Sequence, residues 1–449
     1  MKPAPRFAVL TALAIVAGCA DDDDAATDAT VATTIEVSTT PSSGTEPAAT
    51  VPEALSLAVG WLNGDPIDEM LYGERFTAEF VEQLPYAAFS ELLRQFQAQG
   101  PWTIDGAPEE PVPGAIVADV VDGRDQSFTL SISVADPTGP VIESLLVEPA
   151  AEPPTSPEEA LERLRAAGTL RLLTAEVSED DCTPLTDDGG DDLMPLGSVF
   201  KLYVLGAVVD AVEAGELTWD TPVTIRDELD SIPSGTTQDE PPGTQLSIRE
   251  MATRMISVSD NTATDHLIDL VGREAVEGAL AAYGHAAPEA TVPFLMTREF
   301  TIIKFSGGDL ATRYGAASQD ERRALLAGEV AGAALPPLTD IITAAPTATD
   351  TVEWFASPAD ICRALARLQR SAEATEILAI NPGVPSDRWS YVGFKGGSEP
   401  GVLAVAWLVE GDNGQRYVLA GGVANPATAI PESIAIDALA YLRDNIASG

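Results

Sequence analysis

The sequence predicts an α+β protein made of two domains in tandem, at residues 53–150 and 156–449. Apolar residues at helical spacing fill much of residues 53–98, and three β-rich runs follow them. From residue 156 onward, one β-rich run precedes a long helical block, and two strongly β-patterned runs follow that block. With 449 residues in the chain, each domain is long enough to bury a hydrophobic core of its own.

The chain opens with the pattern of a secretory signal. Lys2 and Arg6 precede or border an apolar run at residues 7–16, which is too short to cross a bilayer as a permanent helix. The residues that end at Cys19 read Val-Ala-Gly-Cys, which resembles the lipobox of bacterial lipoproteins; an ordinary signal with an incidental cysteine is the alternative. The resemblance implies a signal at residues 1–19, lipidation of Cys19, and an extracytoplasmic protein held at the bacterial cell membrane by this lipid anchor.

Residues 20–52 are predicted to form a flexible acidic and Thr-rich tether, because they lack aromatic side chains and any sustained apolar period. Only eight of the 70 acidic residues lie between residues 20 and 60, so the formal net charge of −45 belongs mainly to the domains. A surface of this sign repels nucleic acid, which is therefore excluded as a partner. With two histidines and three cysteines in the chain, we expect no protein-built metal site, and we expect no cofactor.

The first domain places its helices before an antiparallel meander, so the helices should cover one face of the sheet. The predicted strands are residues 115–121, 127–134 and 141–147, and a Pro-rich bridge at residues 108–113 separates them from the helices. This order of elements resembles the nuclear-transport-factor-2-like and steroid-isomerase-like folds. Such folds often enclose a pocket, but the sequence offers no paired acid and base here, which favours a packing or gating module.

The second domain begins with a helix start at Ser156-Pro157-Glu158-Glu159, which supplies an N-cap, a proline at the first helical position and an acid two residues later. The helical block extends from Ser198 to about Arg370. The predicted strands and the last helix are residues 170–177, 401–410, 416–423 and 431–446. An antiparallel sheet built from both ends of the domain, with helices inserted between them, predicts two lobes, and a cleft between lobes suits an active site.

Ser198 and Lys201 stand three residues apart at the start of a strongly apolar helical run, so their side chains share one helical face. Burial lowers the proton affinity of a lysine, which can then act as a base toward a serine hydroxyl. Ser-x-x-Lys is a common pattern and taken alone marks only a capped helix. The chain, however, has 21 arginines and four lysines (Lys2, Lys201, Lys304 and Lys395), and arginine cannot act as a base. Two of these lysines fall in motifs, and Lys304 falls in none.

Two further motifs follow in order along the chain. Ser259-Asp260-Asn261 lies where an apolar helix gives way to a polar loop and a second helix, and a plain N-cap turn is the alternative. Lys395-Gly396-Gly397-Ser398 ends a β-run, where glycines admit a close backbone or ligand, and a hairpin turn is the alternative. In this order the three motifs resemble S-x-x-K, S-D-N and K-T-G of class A β-lactamases and penicillin-binding proteins. The resemblance covers about residues 156–449 and implies the two-lobed β-lactamase-like fold.

This resemblance also implies roles for the residues of the three motifs. Ser198 would be the acylated nucleophile, and Lys201 would be the base or proton relay beside it. Ser259 would pass a proton to the leaving amine, and Asn261 would hold the substrate amide and Lys201. Lys395 would attract a substrate carboxylate and polarise Ser259.

The backbone N–H groups of Ser198 and Ser398 would form the oxyanion hole, with Gly396 and Gly397 along the substrate. Gly396 stands where the family has threonine, so one hydroxyl for a carboxylate is missing, and Ser398 is its candidate replacement. The deacylating glutamate of class A enzymes has one weak candidate, Glu299, for which a solvated or arginine-paired surface acid is the favoured interpretation. Without such a base, water should attack a β-lactam acyl-enzyme slowly, which argues against efficient antibiotic resistance.

A β-lactamase-like domain behind a small isomerase-like domain also resembles the clavulanic-acid biosynthetic β-lactamase-like esterases. We therefore expect a secreted, membrane-anchored serine hydrolase that acts through Ser198 on a small-molecule or peptide-like substrate: a β-lactam, a peptide or an ester. The alternative is a catalytically weak penicillin-binding or sensing protein that is acylated without efficient turnover. Cys182 and Cys362 either form a disulfide in an oxidising compartment or remain two buried thiols.

Overall fold

The computed structural model describes residues 51–112, 114–136, 139–149, 153–178, 181–342 and 344–446. The predicted signal at residues 1–19, with Cys19, and all but the last two residues of the predicted tether lie outside this part of the chain. The described residues form two compact units, residues 51–149 and residues 153–446.

The first unit is the predicted α+β domain, with helices and a four-stranded antiparallel sheet around one core. Its helices are α1 (Val51–Leu62), α2 (Glu69–Arg75), α3 (Ala78–Gln83) and α4 (Tyr86–Gln97). Its strands are β1 (Thr103–Val112), β2 (Ala115–Val121), β3 (Ser127–Asp136) and β4 (Gly139–Pro149), and they lie in this order across the sheet. Large aromatic side chains such as Trp61, Phe76 and Phe128 fill the core.

The Pro-rich bridge predicted at residues 108–113 is wrong for most of its length, because residues 108–112 belong to β1. β1 is an edge strand, and an edge strand tolerates proline because one side of its backbone needs no ladder partner. Its pairing with β2 is irregular, with register shifts on both sides of Glu109. A proline-rich edge strand of this kind lacks the alternation on which strand prediction depends.

The second unit is built on a five-stranded antiparallel sheet that uses both ends of its chain, as predicted. Its strands are β5 (Thr169–Ser178), β6 (Asp181–Asp188), β7 (Met194–Pro195), β8 (Pro222–Thr224), β9 (Gln245–Ser247), β10 (Phe355–Ala356), β11 (Tyr391–Glu399), β12 (Val402–Glu410) and β13 (Arg416–Ala424). The main sheet has the order β11–β12–β13–β5–β6, and the four short strands form two separate pairs. β6 was not predicted because it is a polar, largely exposed edge strand.

Twelve helices surround this sheet in the described part of the second unit. They are α5 (Pro157–Ala167), α6 (Lys201–Glu213), α7 (Ile248–Ser257), α8 (Asn261–Val271), α9 (Arg273–Ala282), α10 (Thr297–Phe305), α11 (Leu310–Ala316), α12 (Gln319–Leu325), α13 (Leu338–Ile342), α14 (Pro358–Leu368), α15 (Ala372–Leu378) and α16 (Glu432–Asp444). Helices α6 to α15 make up the predicted helical insertion. No helix in the described residues is long and apolar enough to cross a membrane.

The central strands of the main sheet are buried on both faces, which explains the almost continuous apolar sequence of β12. On one face, Val405 and Trp407 pack into a cluster with α5 and α16. On the other face, Ala404 and Ala406 join the core of the helical lobe, which includes α6. Full burial of one large apolar side chain stabilises a fold by about 1.5–3 kcal/mol, so this double packing fixes β12 between the two layers. β11 and β12 both contact the turn at Gly197–Phe200, directly before α6.

Cys182 of β6 and Cys362 of α14 form a disulfide, with their Cα atoms 6.4 Å apart. Of the two alternatives that the sequence left open, the structure therefore contains the bonded one. The bond ties the exposed edge of the sheet to a helix whose apolar face is buried against β5 and β13.

Candidate active site

The first predicted motif lies at the start of the most apolar helix of the second unit. Gly197–Phe200 forms a single 3-10 turn that leads directly into α6, where the side chains from Lys201 to Val209 are all buried. The three-residue spacing brings Lys201 Nζ to 3.1 Å from Ser198 Oγ. The predicted nucleophile and the predicted base are thus in hydrogen-bond contact.

Lys201 Nζ has four polar neighbours of two chemical kinds. The Ser259 carbonyl oxygen at 2.5 Å and Asn261 Oδ1 at 2.7 Å can only accept hydrogen bonds. The hydroxyl groups of Ser198 and Ser259, both at 3.1 Å, can donate as well as accept. A neutral amine has two N–H bonds and one lone pair, so the two acceptors engage its N–H bonds and the lone pair is left for a hydroxyl. A base for Ser198 needs this arrangement.

The loop that carries the second motif is held in a strained conformation. Ser259 has a φ of +58°, a left-handed value that a serine rarely adopts and that costs of the order of 1 kcal/mol. The buried Asp260 carboxylate holds the loop by accepting four hydrogen bonds. Three come from the backbone N–H groups of Thr236, Thr237 and Ala263, and the fourth comes from the Thr237 hydroxyl. Asn261 Nδ2 donates to the Ile232 carbonyl at 3.1 Å, which leaves Oδ1 facing Lys201.

The third motif lies on a sheet strand, as predicted, at the C-terminal end of β11. Lys395 is buried, and its Nζ lies 3.0 Å from Ser259 Oγ and 2.7 Å from the Gly396 carbonyl oxygen. Ser259 Oγ therefore lies between two lysines, 3.1 Å from Lys201 Nζ and 3.0 Å from Lys395 Nζ. All three predicted motifs meet at this hydroxyl.

Gly397 allows β11 to touch the turn that carries Ser198. A Cβ atom at Gly397 would lie 2.3 Å from the Leu196 carbonyl oxygen and 2.4 Å from Ser198 N, and these backbone atoms cannot move aside. From the opposite side, a Cβ atom at Gly197 would lie 3.0 Å from Ser398 N. The N–H groups predicted to form the oxyanion hole thus belong to two segments in direct contact. β11 is also an edge strand of the described sheet.

Burial controls the charge of both lysines. It lowers the pKa of Lys201 from its usual value to about 7, although the negative charges of Asp260 and Asp265 oppose this shift. Burial, and then the positive charge of Lys201, lowers the pKa of Lys395 well below its usual range. At neutral pH a large fraction of Lys201 is therefore the neutral base. Protonation of either lysine disfavours protonation of the other.

Glu299, the candidate for a deacylation base, has contacts of a structural kind. Arg273 donates hydrogen bonds of 2.9 Å and 2.6 Å to its two carboxylate oxygens, and the Met296 N–H donates another at 2.8 Å. Glu299 thereby caps the N-terminus of α10. Within the described residues its hydrogen bonds thus go to these two partners and not to Ser198 or Lys201. The structure supports the arginine-paired interpretation that the sequence favoured.

Gly396 takes the place of the family's threonine for a local reason. A Cβ atom at this position would lie 2.8 Å from the ring of Phe394, which is itself buried and packed against Trp407. A threonine here would displace that ring, so the missing hydroxyl is coupled to the packing of β11. The Ser398 side chain, predicted as the replacement, is half-buried two residues further along the strand.

Neither histidine contributes to this site. His266 hydrogen-bonds through Nδ1 to the Thr262 carbonyl and accepts from the Arg226 N–H, while His285 bonds to the Phe355 carbonyl. These contacts with the backbone give both rings structural roles. In the described part of the chain, no group of three or more His, Cys, Asp or Glu side chains is placed to hold a metal ion.

Sequence reasoning missed two sets of buried ionisable side chains beside the site. Lys304 of α10 pairs with Glu399 at the end of β11, and Glu353 adjoins this pair. The scarcity of lysine singled out Lys304 but gave it no partner. Asp265 of α8 accepts hydrogen bonds from Thr297 and its neighbour at the start of α10, and no motif marked it.

The site has a serine hydroxyl in contact with a buried lysine, a second serine between two lysines, and an edge strand against the nucleophile. In a two-lobed α+β fold, these features define a β-lactamase-like serine hydrolase. A family model described as the beta-lactamase enzyme family matches residues 167–442, and the chain belongs to that family. A second family model, described as the ORF 12 gene product N-terminal domain, matches residues 47–139. The predicted family and fold class are confirmed.

Three solved structures that resemble this chain are 20–21% identical to it. A β-lactamase from Sphaerobacter thermophilus is 21% identical with a TM-score of 0.45, and the match covers 64% of this chain and 95% of that chain. PBP-A is 20% identical with a TM-score of 0.42, covering 66% and 98%. A β-lactamase from Chitinophaga pinensis is 20% identical with a TM-score of 0.42, covering 64% and 96%. No curated protein sequence matches this chain.

Proposed function

We propose that this protein is a serine hydrolase that forms an acyl-enzyme on Ser198 and acts on a β-lactam, a peptide-like substrate or an ester. The position of Lys201 carries the proposal, because two acceptors engage its N–H bonds while its lone pair is left for a hydroxyl. In the first step Ser198 Oγ would attack the substrate carbonyl carbon while its proton passes to Lys201 Nζ. General-base assistance of this kind contributes about 10²–10⁴-fold to a rate.

The later steps of acylation use the other motif residues. The N–H groups of Ser198 and Ser398 would stabilise the oxyanion, at about 3 kcal/mol for each donor. Ser259 Oγ would carry the proton from Lys201 to the leaving nitrogen or oxygen, whose bond to the acyl carbon then breaks. Lys395 would attract a substrate carboxylate, and Asn261, beside Lys201, would hold the substrate amide.

A second candidate function is a penicillin-binding or sensing protein that is acylated without efficient turnover. The contacts of Glu299 favour it, because Arg273 and the α10 backbone engage this carboxylate. Hydrolysis would then depend on Lys201 as the base for the attacking water. The lifetime of the acyl-enzyme separates the two functions.

Labelling with a fluorescent penicillin, followed by intact-mass spectrometry, tests both functions. We expect a covalent adduct on the wild-type chain and none on Ser198→Ala. A parallel panel of nitrocefin, p-nitrophenyl acetate and a D-Ala-D-Ala peptide identifies the substrate class that is turned over. A stable adduct with no turnover of any panel member supports the binding function, and hydrolysis that persists in Ser198→Ala refutes the serine mechanism.

We further propose that the protein is extracytoplasmic and anchored to the membrane by a lipid on Cys19. The Val-Ala-Gly-Cys sequence and the Cys182–Cys362 disulfide, which suits an oxidising compartment, support this location. Fractionation of bacterial cells that express the full chain tests it. We expect the wild-type chain in the membrane fraction and Cys19→Ala in the soluble fraction; a wild-type chain that is soluble and unlipidated by mass refutes the anchor.

A further inference from the structure

The strongest unexplained feature of the second unit is a buried ion pair that the catalytic motifs do not include. Lys304 Nζ lies 2.5 Å and 2.6 Å from the two carboxylate oxygens of Glu399. The Lys304 side chain is 0% exposed and that of Glu399 is 7% exposed. Lys304 also lies over the ring of Phe300, one turn earlier in α10, at 4.7 Å from the ring centroid. A charge pair removed this far from water needs close partners, because its desolvation is costly.

Glu353 gives the ion pair a third, uncharged member. Its Oε2 accepts a hydrogen bond from the Trp354 N–H at 2.9 Å, and its buried Oε1 receives none from the described residues. Burial and the negative charge of Glu399 raise the pKa of Glu353 well above its usual range, while Lys304 opposes the rise at Glu399. Glu353 therefore holds a proton, and Glu399 is the anion that faces Lys304.

Two of these three side chains belong to residues that lie, along the chain, next to the contacts of the segments that supply the oxyanion donors. Glu399 directly follows Ser398 in β11. Glu353 directly precedes Trp354, whose carbonyl oxygen accepts the hydrogen bond of the Leu196 N–H at 3.0 Å, two residues before Ser198. The Trp354 ring stacks at 3.7 Å on the ring of Phe200, inside the first motif.

Helix α10 brings Lys304 to this place and holds it there. At its start, Thr297 Oγ1 lies 3.2 Å from the Asn261 carbonyl oxygen and 2.9 Å from Asp265 Oδ1. Near its end, Lys304 binds Glu399. One helix of nine residues thus joins the loop of the second motif to the strand of the third.

We propose that Lys304 and Glu399, with Glu353 beside them, are positioning residues that hold the Ser398 N–H opposite the Ser198 N–H in the oxyanion hole. The proposal rests on the proposed function, because it assigns these residues to the same acylation step. None of the three needs to touch the substrate. Loss of the Lys304–Glu399 salt bridge would leave Ser398 on an edge strand without the contact that fixes the next residue, Glu399.

The test compares the acylation rate constants of the full-length chain and its variants with a fluorescent penicillin and p-nitrophenyl acetate. Deleting an oxyanion donor costs about 10²–10³-fold, so a displaced donor should cost about 10–100-fold. We expect this loss in Glu399→Gln and in Lys304→Met, with KM changed less than kcat. Glu353→Gln keeps a neutral hydrogen-bonding group and should lose at most about threefold.

A second measurement separates positioning from a merely structural effect. Ser198 Oγ adds to the trigonal boron of an arylboronic acid while its proton passes to Lys201 Nζ. The boron becomes tetrahedral, and one of its hydroxyl oxygens occupies the oxyanion hole. The Kd of the boronic acid should rise in Glu399→Gln by about the factor by which acylation falls. Glu410→Gln is the control, because it disrupts another ion pair of the same sheet, in which Arg416 Nε lies 2.7 Å from Glu410 Oε2. Glu410 pairs with Tyr391, at the end of β11 away from Glu399. This control should leave both quantities unchanged.

The double variant Lys304→Met/Glu399→Gln keeps the test decisive if a single variant does not fold, because removing both charges leaves no unpaired ion. It should fold and still acylate about 10–100-fold more slowly. Folded variants that acylate and bind the boronic acid like the wild type overturn the positioning proposal alone. A wild-type chain that neither probe labels on Ser198 overturns the proposed function and this proposal with it.

Discussion

Acylation of Ser198 should rise with pH through the titration of Lys201. The Lys201 ammonium group loses its proton with a pKa of about 7, and the neutral amine is the base. Activity is therefore lost as pH falls through that value. The neutral fraction is about one half at pH 7, about one tenth at pH 6 and about one hundredth at pH 5. The rate constant at low substrate concentration should fall in the same proportions from pH 7 to pH 5.

Substitution of the base tests the same reasoning without a change of pH. Lys201→Met keeps an unbranched side chain, one atom shorter, and removes the amine that serves as the base, so acylation should fall about 10²–10⁴-fold. It also leaves the Ser259 carbonyl oxygen and Asn261 Oδ1 without their donor, at about 1–3 kcal/mol for each buried acceptor. Thermal denaturation must therefore show that the variant is folded at the assay temperature.

Rapid mixing with fluorescent penicillin, quenching and gel quantification give the rate constant at each pH from 5 to 9. Samples held at each pH and returned to pH 8 before mixing control for unfolding. A profile that is flat from pH 5 to 8 refutes Lys201 as the base. So does a folded Lys201→Met variant that keeps more than about a tenth of the wild-type rate.

Three further predictions concern residues around the site. Glu299→Gln should leave the decay rate of the acyl-enzyme, measured by mass spectrometry, unchanged. It should lower the free energy of unfolding, measured in guanidinium, by about 2 kcal/mol because Arg273 loses its charged partner. Replacement of both Cys182 and Cys362 by serine should destabilise the folded chain by up to about 5 kcal/mol, since the bond spans a sequence separation of 180 residues. Gly397→Ala should lower acylation more than about 100-fold, because its Cβ would collide with the Ser198 backbone.

Each of these predictions has its own control and its own contrary result. Gly278→Ala, in α9 with nothing within 4 Å of its Cβ, should acylate normally, so equal losses in this variant and Gly397→Ala contradict the contact argument. An acyl-enzyme that decays more than about tenfold more slowly in Glu299→Gln identifies Glu299 as the deacylation base after all. Identical guanidinium midpoints for the wild-type chain and the double serine variant contradict a stabilising disulfide.

Local sequence patterns predicted the parts of the site whose residues are close in the chain. The spacing of Ser198 and Lys201 fixes their contact because one helical turn joins them. The meeting of the three motifs followed from the family resemblance and not from spacing, since 136 residues separate Ser259 from Lys395. No pattern could show that Lys304 binds Glu399, because a salt bridge between residues 95 positions apart depends on the finished packing of α10 against β11.

The edge strands show the same limit in the sheet. β12 and β13 are buried on both faces, so their apolar runs were recognised within one or two residues. β1 and β6 lie at sheet edges, where prolines and exposed polar residues are tolerated and alternation is lost. Strands that are buried on both faces can be predicted from their apolar composition. Edge strands, which form mainly by hydrogen bonding to one neighbouring strand, cannot.

The three lysines that the structure describes show why this chain departs from arginine at so few places. All three are buried, whereas most of the arginine ion pairs in the described residues are at least partly exposed. Lys201 fits a need for a cation that can lose its proton, which arginine cannot meet. Lys304 has a different role, since its amine donates hydrogen bonds to the Glu399 carboxylate. What the three share is a buried amine whose nitrogen reaches two or more hydrogen-bond acceptors. Of the three lysines, Lys201 and Lys395 therefore lie in the catalytic site and Lys304 lies in the ion pair beside it. The Lys304 variants decide whether that ion pair affects the rate of Ser198 acylation.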